Sequence, residues 1–187
     1  MKLRMLLPNS RSTALKRFAA HCTLSLALVL GVGVFGAQAQ NYQLSYFTGT
    51  YAPIAGTPIS TPTTDDAISA NVLLPFSVTF GGTAYTNFQV CTNGWVALNT
   101  GTAAAQTAAN LNLFNTTAPN VTIAPWMDDL GSTVGAVVGD ISYTTTGISP
   151  NQVLTIQYNN YPSYFTGTTV ALNFQVKIYE TTNVIEF

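Results

Sequence analysis

Across 187 residues the chain carries only six basic and seven acidic side chains, and 47% of it is hydrophobic. Five basic residues and the single histidine, His21, precede position 40, so the remainder sets Lys177 alone against seven carboxylates, a formal charge of −6. No imidazole base remains for a Ser-His-Asp or Cys-His nucleophile system or for His-built zinc or copper sites. One lysine cannot neutralise a nucleic-acid backbone or dock the chain on an acidic membrane.

The amino terminus reads as an address. Lys2, Arg4, Arg11, Lys16 and Arg17 precede an apolar run from Phe18 to Phe35, which closes on Ala37-Gln38-Ala39. A positive region, an apolar region and a small-x-small site describe a secretory signal peptide, cleaved after Ala39. Gly31, Gly33 and Gly36 interrupt the run, and its apolar core falls short of the roughly 20 residues that span a bilayer. The expectation is a signal peptide over 1–39, a single module over 40–187, and no membrane insertion after cleavage. Cys22 lies ahead of the densest apolar stretch, Leu24 to Val34, and not just behind it, which argues against lipidation. It leaves with the leader, so Cys91 has no intrachain disulfide and is expected to be a buried, inert thiol.

The 148 residues from Gln40 suffice for one domain. Asn41 to Thr48 reads as a short alternating strand. Thr50 to Thr64, with Pro53, Pro58 and Pro62, is an extended connection that cannot be helical. Val72 to Phe80 is a strand, and Pro75 within it predicts an edge position or a bulge. Gly81-Gly82 turns it into Phe88 to Cys91, and Asn93-Gly94 is a hairpin signal returning through Trp95-Val96-Ala97-Leu98. From Asn99 to Asn120 only Ala103 to Leu113 has tolerable helix propensity, which leaves open a single turn around Ala104–Ala109 or a loop. Val121 to Pro125 is a short strand leading into Trp126-Met127-Asp128-Asp129-Leu130. A glycine-punctuated flexible segment, 131–139, follows.

Asp140 to Thr145 is a strand, 147–151 a turn, and Gln152 to Tyr158 a strand with Leu154, Ile156 and Tyr158 on one face. Asn159 to Thr168 reads as an aromatic loop. Thr169 to Tyr179 alternates most cleanly, Leu172, Phe174, Val176 and Ile178 opposing Asn173, Gln175 and Lys177. Val184 to Phe187 begins a return strand, and stopping there on an apolar residue predicts a product truncated at its carboxyl end. Short strands separated by turns give an all-β, antiparallel β-sandwich, with Ig-like and jelly-roll topologies both open. Val90, Trp95, Leu98, Ile156, Phe174 and Val176 are its expected core.

Asp128, Asp129 and Asp140 are candidate oxygen ligands for Ca²⁺, Asp65-Asp66 a weaker pair. Adjacent aspartates in a loop also serve as turn formers that bond their own backbone. No other cofactor is implied. Trp126, Tyr161, Tyr164 and Phe165 are candidate binding-loop residues for an extracellular protein or a glycan, although most sandwich aromatics fill the core. A glycoside hydrolase would need two carboxylates about 5 to 9 Å apart, and no spacing here selects such a pair. Sequons stand at Asn115 and Asn120.

Four blocks in order carry a resemblance: Phe88–Leu98, Ile123–Leu130, Gly139–Tyr143 and Asn173–Phe187. Over roughly 70–187 the chain resembles the amino-terminal module of Bacteroidetes secreted and surface proteins exported by type IX secretion. It is similar to the nidogen extracellular domain. The resemblance implies a non-catalytic adhesion or matrix-type module, secreted or held at the cell surface. A carbohydrate-binding module is the alternative, a glycoside hydrolase a further one.

Overall fold

The computed structural model describes residues 42–61, 63–102, 121–164 and 170–187. The leader, the 104–109 segment, the sequon asparagines Asn115 and Asn120, and Phe165 lie outside the described residues. Tyr42–Phe187 forms one compact unit of two antiparallel sheets and a small hairpin, with no helix among the described residues.

The first sheet is a meander of β2 (Val72–Phe80), β3 (Thr83–Cys91), β4 (Trp95–Asn99) and β5 (Thr122–Ile123). β2 is at its edge, and its register with β3 shifts between Leu73 and Val78. Pro75 thus sits where its missing N–H costs least, in an irregular edge strand. The second sheet runs β1-β8-β9-β10-β11, with β1 (Thr57–Pro58), β8 (Asp140–Thr146), β9 (Val153–Pro162), β10 (Ala171–Tyr179) and β11 (Ile185–Glu186). Neither sheet shows the interleaved strand order of an immunoglobulin domain.

Between the sheets, Val78, Phe88, Val90 and Leu98 meet Ile141, Ile156, Tyr158 and Val176 in one apolar cluster. Each buried aliphatic or aromatic side chain there contributes about 1.5–3 kcal/mol. The strand period decides which residues enter. Trp95, expected in this core, is buried on the opposite face of the hairpin with Cys91 and Ala97, and Ala124 and Met127 pack over them.

Three expectations are corrected. Residues 42–48 form no strand: Tyr42 stacks beside Phe80 at 4.7 Å and its hydroxyl accepts from the Gly81 amide, but Leu44, Tyr46 and Phe47 are exposed. This arm joins the edge of the second sheet at Thr57–Pro58, and the Ile59 amide donates to the Ile141 carbonyl at 2.8 Å. The segment 131–139 holds a hairpin of β6 (Thr133–Val134) and β7 (Val137–Val138), turned at Gly135. The aromatic loop begins late, because β9 runs on through Pro162.

The last difference has a geometric cause. Tyr158 pairs with Phe174 and Tyr161 with Leu172, so Asn159 and Asn160 together oppose Asn173. Asn160 takes the left-handed conformation at φ 49°, and its amide donates to Asn173 Oδ1 at 2.8 Å. This bulge adds one residue and restores the side-chain parity. Tyr161 therefore turns inward like Tyr158, and the two rings meet edge-on at 5.1 Å.

The outer face of the second sheet is wet by pattern yet covered. Ser142, Gln157 and Gln175 stand in register across β8, β9 and β10, and all three are buried. The arm covers them. Gln157 Oε1 accepts from Tyr51 Oη and the Ile54 amide, and Gln175 Nε2 donates to the Ala52 carbonyl. Buried amides need such partners, since an unmet one costs about 1–3 kcal/mol.

Candidate functional site

The hairpin expected at Asn93-Gly94 is present, but as a three-residue loop. Cys91 pairs with Trp95, and the Gly94 amide donates to the Cys91 carbonyl at 3.1 Å. Of Asn93 and Gly94 only Gly94 has positive φ, at 77°. A turn ending in a left-handed glycine is the usual three-residue solution. What distinguishes it is burial: Thr92, Asn93 and Gly94 have almost no contact with solvent. The Trp126–Leu130 loop lies against it, so closely that a Cβ at position 94 would overlap the Trp126 carbonyl.

Asn93 holds this arrangement from both ends. Its Oδ1 accepts from the Leu130 amide at 3.1 Å, and its Nδ2 donates to Asp66 Oδ1 at 2.9 Å. Thr92 adds a second tie: its Oγ1 accepts from the Ala67 amide at 2.9 Å. Residues 130–132 are bonded on both sides, Ser132 N to the Thr64 carbonyl and Gly131 N to the Pro162 carbonyl. The Tyr164 amide donates to the Asp129 carbonyl at 2.9 Å. Three chain segments distant in sequence are thereby zipped over one turn.

Asp66 and Asp129 act on the Asp65 carboxyl here. Burial, then the charges of Asp66 and Asp129, raise the Asp65 carboxyl above its ordinary value. One of its oxygens, Oδ1, is buried without a hydrogen-bond partner among the described residues. The Tyr164 hydroxyl is raised as well, by desolvation and by Asp65. Beneath them, burial pushes the Cys91 thiol up to about 11 and holds the Tyr161 hydroxyl well above the tyrosine range.

The expected site residues separate into groups. Trp126 is half exposed, at 50%, while its neighbours Ala124 and Met127 pack inward and Leu130 is fully buried. Tyr164 is exposed at 39%, its ring over Gly131. Tyr161 is not a loop residue at all: the bulge places it in β9 with no exposure, which removes it from any binding surface.

Asp128, Asp129 and Asp140 do not gather. Among the described residues no three His, Cys, Asp or Glu side chains form a group able to hold a metal ion. Asp128 Oδ1 accepts from the Asp129 amide at 2.9 Å, the turn-forming role open to such a pair. Asp140 opens β8 and accepts from Asn159 Nδ2 on the outer face of the other sheet. Glu180 is engaged by Ser149 Oγ and the Gln152 amide. Sequence reasoning passed over Asn93 as anything beyond a turn former. Its signal was available only in the tight Thr-Asn-Gly-Trp spacing, since its partners lie 27 and 37 residues away.

A buried Asn-Gly hairpin clamped beneath a tryptophan-bearing acidic loop, within two packed antiparallel sheets, defines a β-sandwich module organised around one turn. The chain belongs to the NIDO-related (nidogen-related) family, whose model matches residues 41–187. Comparison with curated proteins and with solved structures returned no match. Among the described residues no helix is long and apolar enough to cross a membrane.

Proposed function

We propose that this protein is a non-catalytic extracellular binding module, exported by its leader and acting in adhesion at a bacterial cell surface or in a secreted protein. The observation that carries the reading is Trp126. Its indole stands half in solvent on a loop fixed from below by Asn93 and flanked by Tyr164. Large aromatic side chains on a pre-ordered support are the residues that dominate protein–protein binding energy, because little entropy is lost on docking. Nidogen-related domains are extracellular in general, which supports export, and the likeness to Bacteroidetes surface modules supports type IX cargo. The lack of histidine and arginine after position 40 supports binding over catalysis.

The test is retention of the full chain on immobilised extracellular matrix proteins and cell-envelope fractions. Trp126→Ala should weaken it at least about tenfold, the effect of losing one interfacial anchor, with circular dichroism unchanged. Equal retention by wild type and variant sinks the assignment to this loop. Hydrolysis of a chromogenic glycoside that Asp128→Asn abolishes sinks the non-catalytic reading.

A further inference from the structure

The outer face of the second sheet carries a groove of about 290 Å³, between the amino-terminal arm and the β10–β11 edge. Phe47 and Tyr51 of the arm and Phe187 line it, and all three are exposed. Its polar lining comprises Asn173, Gln175, Lys177 and Glu186. The arm is not loosely draped there. The Tyr51 hydroxyl bonds Gln157 at 3.1 Å and the Ala52 carbonyl receives Gln175 Nε2 at 2.8 Å, so the aromatic side is held in register with the polar one.

The polar side is charged but balanced. Lys177 Nζ lies 2.6 Å from Glu186 Oε1, and the Tyr179 hydroxyl donates to Glu186 Oε2 at 2.6 Å. These bonds hold Glu186 below the usual carboxylate range, so it stands beside Lys177 as a carboxylate. An ammonium has three donors and a carboxylate about four lone-pair sites, so both retain capacity toward a ligand. A small anion or a phosphate backbone would meet a lysine already committed to Glu186. A wholly apolar ligand would bury this polar array unpaired, at a cost no aromatic contact repays. A pyranose satisfies both surfaces, with apolar C–H faces for rings and hydroxyls for amide, ammonium and carboxylate groups.

We propose that this groove is a binding site for a neutral mono- or disaccharide unit. The sugar's faces lie on Phe47 and Phe187, with its hydroxyls on Asn173 and the Lys177–Glu186 pair. A volume near 300 Å³ is the lower end for small-ligand sites, which favours a short unit over a long chain. The groove shares no residue with the Trp126 loop.

The experiment is saturation-transfer NMR and calorimetry on the full chain. The probes are maltose, cellobiose, xylobiose, mannobiose, lactose and N,N′-diacetylchitobiose. At least one should bind, and Phe47→Ala with Phe187→Ala together should weaken it about tenfold or more, each ring being a stacking surface. Both side chains are exposed, so the fold should persist, checked by an unchanged melting temperature. Trp126→Ala should leave sugar binding intact, whatever it does to adhesion. No binding by any probe at millimolar concentration overturns the proposal. Binding that the double variant leaves unchanged does the same. Self-association that the double variant abolishes, without sugar binding, gives the groove to a second copy of the chain and also overturns it.

Discussion

The hydroxyl of Tyr158, on β9 of one sheet, donates to the carbonyl oxygen of Cys91, at the end of β3 in the other, at 2.8 Å. The Trp95 carbonyl lies 3.0 Å from the same hydroxyl. Both strand ends of the buried hairpin are thus held by one phenol wholly removed from water. Burial holds that phenol well above the ordinary tyrosine range, so it is a donor at neutral pH. Tyr158→Phe should cost about 1–2 kcal/mol, a buried hydrogen bond lost with its acceptors left behind. Urea denaturation with an unchanged m-value measures it, and a loss under 0.5 kcal/mol would remove the phenol from any locking role.

Gly94 is required twice, once by φ and once by space. A left-handed alanine costs about 1–2 kcal/mol, and the overlap with the Trp126 carbonyl adds to this. Gly94→Ala should therefore lose about 3 kcal/mol or more and shift the emission of Trp126. Gly81→Ala is the control, with φ of 58° and open space around its Cβ. It should lose only the conformational part, about 1–2 kcal/mol, without a spectral change. Equal losses at the two positions would refute the packing of the loop on the turn.

Asp65 makes a pH prediction of definite sign. Its folded-state pKa is raised by burial, then by Asp66 and Asp129. The folded chain therefore holds that proton more tightly than the unfolded one, and ionised Asp65 opposes folding above both values. Asp65→Asn should raise the urea midpoint at neutral pH. The gain should shrink as pH falls through the raised value and vanish below the ordinary carboxylate range. A variant less stable than wild type at pH 7 would contradict this.

Cys91 should be chemically silent. It is fully buried, and desolvation lifts its thiol to about 11, so little thiolate exists near neutrality. Native protein should resist iodoacetamide for hours and react promptly in denaturant. Rapid native alkylation would show that the hairpin opens far more often than its packing allows.

Much of this molecule could be read from residue order alone, where a local rule sufficed. Period two put Leu154, Ile156 and Tyr158 on one face of their strand and Leu172, Phe174, Val176 and Ile178 on one face of theirs, and the register brings both sets to the same side of the sheet. Pro75 announced an irregular edge and Asn93-Gly94 a hairpin. Strand identity depends on neighbours in sequence, so neighbours in sequence revealed it.

Relationships across the chain needed the tertiary structure. A single bulge at Asn159–Asn160 carries β9 on through the expected loop and turns Tyr161 inward, where unbroken alternation would point it outward. Which aspartates meet was decided by the clamp on Asn93, which draws Asp66 and the Leu130 amide to one side chain and leaves Asp140 on another sheet. The sequence puts Trp95 in the core between the sheets, whereas the fold buries it on the opposite face of its hairpin, under Ala124 and Met127. Burial depends on which segments fold back over a strand, and no local pattern encodes a contact between residues so far apart along the chain.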